Sequence, residues 1–273
     1  MPKPKRSLRD LLRVDPAARI RLADLDPNDT HGYTKDEAAN DLQRRLDRLT
    51  DLQDRIWAES KHPVLIVLQG IDAAGKDGSV KHVMSAFNPM GCSVTSFKVP
   101  TPVESAHDYL WRIHQRTPAK GEIAIFNRSH YEQVLVVRVH DLEPKKAWQR
   151  HYDEINAFER LLAQEGTTIV KFCLMIDRDE QKLRLQSRID DPRKNWKFQL
   201  GDLAERKLWD DYMVAYEDVL ARCSTDVAPW YLIPANRNWF RNLAIAEIVA
   251  DTLDDLKPAY PSPSEDLSKV VIE

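Results

Sequence analysis

The sequence predicts an α/β fold in three layers, a five-stranded parallel sheet covered by helices on both faces. Three observations carry this. Five short apolar or β-branched runs recur, at Val64 to Leu68, Ser93 to Val99, Glu122 to Phe126, Thr168 to Ile176 and Trp230 to Ile233. Segments with helical character separate or follow them, near 104–116, 146–165, 178–189, 202–222 and 238–256. Finally, the first run passes through a glycine-rich turn straight into a stretch with apolar residues at Val80, Val83, Met84 and Phe87, so a helix is predicted from Lys76 to Phe87.

Taken in order, the first thirty or so residues are mixed in charge and punctuated by proline. A helix then starts with Thr34 as N-cap, and Glu37 three residues on completes a capping box. Leu42, Leu46, Leu49, Leu52, Ile56 and Trp57 keep a helical period, which gives an amphipathic helix that packs on the domain or on a partner subunit. Residues 1–60 therefore read as an N-terminal helical extension, 61–257 as the α/β domain, and 258–273, with PAYPSPSEDLSK, as a poorly ordered or docking tail. There is no internal repeat.

Composition excludes several classes. With 273 residues and 42% hydrophobic content the chain is no disordered protein. A net charge of −3 argues against a protein that coats nucleic acid. The longest aliphatic run, Val64 to Leu68, is far too short to span a membrane, and the start, MPKPKRSLRD, has no apolar signal region. Cys92, Cys173 and Cys223 suggest neither a disulfide framework nor a zinc site, so the cytoplasm is the expected location.

The chemistry is concentrated in VLIVLQGIDAAGKDGS, residues 64–79, a strand followed by Gly-x4-Gly-Lys and a helix. Gly70 and Gly75 permit a tight turn whose N–H groups converge on phosphate oxygens at a helix N-terminus, and Lys76 adds a cation. The candidate cradle is Gly70, Ala73, Ala74, Gly75, Lys76, Asp77 and Gly78. Asp77 stands where such loops carry Ser or Thr for Mg²⁺, which weakens an ordinary ATPase assignment. Asp72 inside the loop repels an anion unless a metal lies between them. It reads as a Mg²⁺ ligand or a proton acceptor, with an Asx-turn as the plain alternative.

At the end of the strand EIAIF come Asn127 and Arg128, with Glu132 close behind. Asn127 occupies the place of a metal-binding acid, and Glu132 can supply the missing carboxylate to a metal or a substrate. Arg128 suits bidentate phosphate binding, with a structural ion pair as its alternative. His130 reads as an ordinary packed or exposed histidine. Farther on, Arg184, Arg188, Asp190, Asp191, Pro192, Arg193, Lys194, Trp196 and Lys197 form a basic, proline-broken segment that reads as a mobile lid over about 184–210, or else as a solvated face. Arg237 and Arg241 follow the last strand, where they either reach phosphate or cap the sheet.

Together GIDAAGKDG, FNRSHYE, RIDDPRKNWKF and APWYLIPANRNWFRN resemble the polyphosphate kinase 2 family over roughly residues 30–255. The resemblance implies a P-loop kinase fold and transfer of phosphoryl groups from inorganic polyphosphate to a nucleotide. It implies Mg²⁺, for which Mn²⁺ substitutes, bound by Asp72, Asn127 and Glu132. Asp72, Lys76, Arg128 and Arg188 are then the catalytic set, and Lys194 and Lys197 join the loop and Arg128 in holding polyphosphate. Glu132, Arg188, Asp191 and Trp196 hold the nucleotide. The pair Asn127-Arg128 followed by Glu132 looks like the subgroup that accepts both AMP and ADP, with guanine nucleotides as further candidates. The partners implied are polyphosphate and nucleotides; the long N-terminal helix adds a second copy of the chain as an expected partner. An ATP-dependent nucleoside or nucleotide kinase is the main alternative, and a nucleotide-binding protein without turnover is the other.

Overall fold

In the computed structural model, which describes residues 7–16 and 19–272, the strands β1 (Val64–Gln69), β2 (Cys92–Ser96), β3 (Ile123–Asn127), β4 (Thr168–Met175) and β5 (Trp230–Pro234) form one parallel sheet. Their order is β2-β3-β1-β4-β5. Residues 1–6, 17–18 and 273, parts of the expected extension and tail, lie outside the described residues. All six residues of β1 are buried, as an inner strand covered on both faces requires.

Chain direction assigns the layers. From β1 to β2 the chain moves one way across the sheet, and at each later crossover it moves the other. Right-handed connections therefore put the intervening helices on opposite faces. One layer holds α1 (Leu8–Leu12), α2 (Lys35–Glu59) and α3 (Lys76–His82), all packed on the last helix of the chain. The other receives α4 (Pro102–Ser105), α5 (Trp111–His114), α6 (Val136–Val139) and α7 (Lys145–Gln164), then α8 (Arg178–Asp190), α9 (Gly201–Lys207) and α10 (Trp209–Cys223). Contacts of α7 with β4 and α10 agree with this placement. The chain then crosses back through α11 (Asn238–Asp255).

The predicted capping box starts α2: Thr34 Oγ1 accepts from Glu37 N, and Thr34 N donates to Glu37 Oε2. Leu49, Leu52 and Ile56 are buried, Leu42 and Leu46 pack against the core, and Trp57 stays 40% exposed. The apolar face of α2 is taken up by α11 of the same chain, and ion pairs from Arg45 to Asp251 and Arg48 to Asp254 edge that contact. At the sheet's β5 edge Val14 N donates to Trp230 O at 2.9 Å, so the N-terminal segment covers an otherwise open edge. The tail touches the end of α2, where Arg55 lies over the Tyr260 ring.

Three predicted helices are shorter or broken. The helix expected over Lys76 to Phe87 ends at His82, because α2 offers side-chain partners to the residues beyond it: Thr50 Oγ1 donates to Ala86 O and Gln53 Oε1 accepts from Asn88 N. The segment 104–116 divides into α4 and α5 because the Asp108 carboxylate accepts from Leu110 N and forms a turn between them. The segment 202–222 breaks at Leu208, whose N–H closes a tighter turn onto Glu205 O.

Within the core lies a charged cluster that the apolar reading of β4 passes over. Lys171, fully buried in β4, donates to Glu159 Oε2 at 2.6 Å, to the Tyr131 hydroxyl at 2.7 Å and to Cys223 O at 2.7 Å. Glu159 Oε1 accepts from the Tyr131 hydroxyl at 2.9 Å and lies 3.2 Å from His130 Nε2. Burial pushes the Glu159 carboxyl up, but Lys171 and His130 outweigh it and hold it below its ordinary range. Removing one partner strands the other charge: Lys171→Met should lower stability by about 3–5 kcal/mol. The double variant Lys171→Met/Glu159→Gln should recover much of that loss, and chemical denaturation of the three proteins reads both effects.

Candidate phosphate-transfer site

β1 is flanked by β3 and β4 in register, Leu68 opposite Asn127 and Gln69 opposite Cys173, so three strand ends deliver their loops to one edge of the sheet. The first is the predicted phosphate loop. Gly70 lies so close to β4 that a Cβ there would sit 2.6 Å from Leu174 O, and Gly75 turns the chain at φ 110° to cap α3. Both are positions that only glycine fills without strain. Ala73 also takes a left-handed φ of 65°.

Lys76 is buried in this loop, its amine donating to Gly70 O at 2.5 Å and Ile71 O at 3.2 Å. Burial, with Arg128 nearby, lowers its pKa to about 8, although Asp72, Glu132 and Asp77 pull the other way.

Arg128 leaves β3 in a left-handed conformation, φ 64°, with its N–H on Leu68 O of β1. That turn aims its guanidinium across the loop: Nη2 donates to Asp72 Oδ1 at 2.6 Å and Nη1 to Glu132 Oε2 at 3.1 Å. Burial disfavours this charge, but Glu132 and Asp72 more than restore it and raise the pKa. Asp72, distant in the sequence, thus joins Arg128 and Glu132 in one cluster. Asn127 Nδ2 donates to Asp77 Oδ1 at 2.8 Å, so the Asn that replaces an acid on β3 faces the Asp that replaces a hydroxyl on the loop. His130, by contrast, points into the buried cluster beneath.

Arg184 departs from its expected role. It lies in the middle of α8, and its guanidinium donates to Ala73 O and Ala74 O of the loop and to Ala235 O and Asn236 O after β5, with Glu180 as its ion partner. It is a clamp on the loop backbone and no part of a mobile segment, because four carbonyls at two strand ends hold it. Gln181, one turn earlier, donates to Asp72 O at 3.1 Å. Sequence reasoning missed Gln181 as a loop contact; no motif marked it. Between Ser187 and Asp202 the lid segment is tied within itself: Arg188 to Asp202 and Lys197 O, Lys194 to Ser187 and Asp191, Arg193 to Asp191, and Lys197 over the Trp196 ring. Farther on it reaches outside, Arg206 Nη1 donating to Arg178 O at 2.6 Å and to Gln181 Oε1 at 2.9 Å, and Glu205 pairing with His140. Among the described residues no hydrogen bond or ion pair joins 191–200 to the loop. Arg237 is exposed at the start of α11, whereas Arg241 is buried beside the loop.

Among the described residues no three acidic, histidine or cysteine side chains are already gathered around an ion position. The donors nonetheless suit Mg²⁺: carboxylates of Asp72, Asp77 and Glu132 and the amide oxygen of Asn127 are hard oxygen ligands beside a phosphate loop, where this ion typically takes one or two carboxylates with phosphate and water.

Fold and site define the class of phosphoryl-transferring P-loop proteins. The polyphosphate kinase 2 (PPK2) model matches residues 32–261, and the chain belongs to that family. It is 52% identical over 266 residues, 96% of this chain and 98% of the relative, to the AMP/ADP-polyphosphate phosphotransferase of Meiothermus ruber. It is 45% identical over 232 residues to the ADP-polyphosphate phosphotransferase of Rhodopseudomonas palustris, covering 81% and 80% of the two chains. Its structure is similar to that of polyphosphate kinase 2 from Arthrobacter aurescens TC1, with a TM-score of 0.93 and 43% identity over 97% and 95% of the chains.

The state of Lys76 gives a pH test. A phosphate-binding role for Lys76 calls for the charged amine, and in the free protein that charge is lost as pH rises through about 8. The kcat/KM for the phosphate donor, which reports the free enzyme, should therefore fall above that pH. Lys76→Arg, whose side chain keeps its charge, should remove this alkaline limb even if its rate is lower.

Proposed function

We propose that the chain transfers the terminal phosphoryl group of inorganic polyphosphate to AMP and ADP, reversibly and with Mg²⁺, Mn²⁺ serving in its place. The observation that carries the reading is the Arg128 bridge. One guanidinium holds the loop carboxylate Asp72 and the carboxylate of Glu132 beside Lys76, at the edge of the sheet where phosphate is bound. Such an arrangement can exchange partners: phosphate oxygens attract Arg128, and the carboxylates it releases become free for a metal.

The attacking group is an oxygen of the nucleotide's terminal phosphate, already ionised near neutral pH, so positioning and charge neutralisation carry the rate. The loop amides with Lys76 and Arg128 orient the transferred group and offset its charge. Mg²⁺, when bound by Asp72 and Glu132 with Asn127 beside them, supplies Lewis-acid charge neutralisation at the phosphate oxygens. Arg188 in the last turn of α8 and Lys194 and Lys197 after it contribute cations, and Asp191 and Trp196 contribute nucleotide contacts. The Meiothermus relative's name supports the dual acceptor. Guanine nucleotides, a cytoplasmic setting and self-association belong to the same reading. Since α2 and α11 cover each other, any second copy docks on another surface, and light scattering measures the assembly. No helix among the described residues is long and apolar enough to cross a membrane.

The test mixes the protein with Mg²⁺, long-chain polyphosphate and either AMP or ADP, and resolves the nucleotides by chromatography. ADP and ATP from AMP are expected. ATP from ADP alone rejects the dual acceptor, and turnover only with ATP as donor favours the ordinary kinase. Replacing Asp72 with Asn should leave the melting temperature close to wild type and lower kcat by about a hundred- to a thousandfold; near-normal turnover removes its assigned role.

A further inference from the structure

Arg241 is a buried cation in the wrong place by every local criterion. It is 2% exposed. It lies in the first turn of α11, where the helix dipole disfavours positive charge. Among the described residues it has no carboxylate partner; its ion-bearing neighbour is another guanidinium, Arg184, and burial together with that neighbour lowers its pKa to about 10. Neutral amides hold it instead: Nη1 donates to Asn238 Oδ1 at 2.7 Å, and Nη2 and Nε donate to Asn242 Oδ1 at 2.8 and 3.2 Å. Each terminal nitrogen keeps one N–H without an acceptor among the described residues.

Its location explains its presence. A Cβ built on Gly75 would lie 1.9 Å from Arg241 Nη1, and one built on Gly78 would lie 2.8 Å from Nη2. The guanidinium is thus in contact with the turn that starts α3, on a surface opened by two glycines. Gly75 needs no further reason to be glycine, given its φ of 110°, but Gly78 has none in its backbone conformation. Unpaired buried charge destabilises an empty protein, and a neighbouring anion reverses that effect.

We infer that Arg241 is a positioning residue of the phosphate loop, a fixed positive charge packed behind Gly75 and Gly78 whose counter-charge is the incoming phosphate chain itself. It needs no direct contact with substrate. Its charge raises the potential inside the turn, and its planar fork, pinned by Asn238 and Asn242, keeps the turn in its binding shape. The inference rests on the loop being the phosphate site.

Calorimetric titration of the full chain with tripolyphosphate alone, without nucleotide, tests it, alongside thermal unfolding of the unliganded proteins. Arg241→Gln should weaken binding on the order of tenfold, the scale of one nearby charge in a partly screened site. Arg241→Lys should stay within about threefold of wild type, and the unliganded Arg241→Gln protein should unfold no earlier than Arg241→Lys. The KM for donor should rise in Arg241→Gln far more than kcat falls. Gly78→Ala supplies a geometric check: it should weaken binding in the wild-type background, by pushing Nη2 away, and add little in the Arg241→Gln background, where the space is vacated. Unchanged binding by Arg241→Gln, equal losses in Arg241→Gln and Arg241→Lys, or additive effects of Gly78→Ala overturns the inference. A wild-type chain that takes up no tripolyphosphate overturns the loop assignment, and this inference with it.

Discussion

The constraint on which the rest depends is the central position of β1 between two parallel partners. Because Leu68 pairs with Asn127 and Gln69 with Cys173, the loops after β1 and β3 leave the sheet at one level, and β4 runs on beside them to Met175 before its own loop. A parallel sheet buried on both faces allows no slip of this register, since one residue would turn each strand's side chains to the opposite face. Residues as distant in sequence as Asp72, Arg128 and Arg184 therefore meet without any local bias toward each other.

Charge is distributed around that edge in two unlike ways. On the open side the carboxylates of Asp72 and Glu132 are neutralised by Arg128, and the ion pairs are partly exposed, so exchange for other ions is cheap. On the closed side Lys76, Arg184 and Arg241 crowd the underside of the loop, and among the described residues only Arg184 of these has a carboxylate hydrogen-bonded to it. Cations are thus gathered at the loop beside the carboxylates of Asp72, Asp77, Glu132 and Glu180, on a chain whose net charge is −3.

Beneath the open side, the Lys171, Glu159 and Tyr131 cluster links β4, α7, the turn that carries Glu132 and the last carbonyl of α10. Apolar residues of similar volume often fill such a space at no loss of stability, so the ionic cluster is weak evidence for stability. Its members give directional bonds to four elements, which apolar packing does not. The turn that carries Glu132 thus stands on a directional base, and Arg128 is braced separately by its N–H on β1.

Much of this is legible in the chain itself. The five strands, the capping box of α2, the phosphate loop and the candidates Asp72, Lys76, Arg128 and Glu132 come from local spacing and residue chemistry, because burial period, cap geometry and glycine-dependent turns are short-range properties. Local spacing fails where a distant partner competes. The helix after the loop stops where Thr50 and Gln53 of α2 take over its hydrogen bonds. Arg184 reads as a lid cation because its neighbours in sequence are basic, yet its partners are carbonyls more than fifty residues away in either direction. Lys171 is invisible in an apolar strand, and Arg241 reads equally as a phosphate ligand or a cap on the sheet, neither of which is contact with Gly75 and Gly78. The sequence by itself determined the strands, the loop and its charge. Only the tertiary structure decided which charges face each other, because that depends on the register of the sheet and on packing across layers, where no residue's nearest neighbours are its neighbours in the chain.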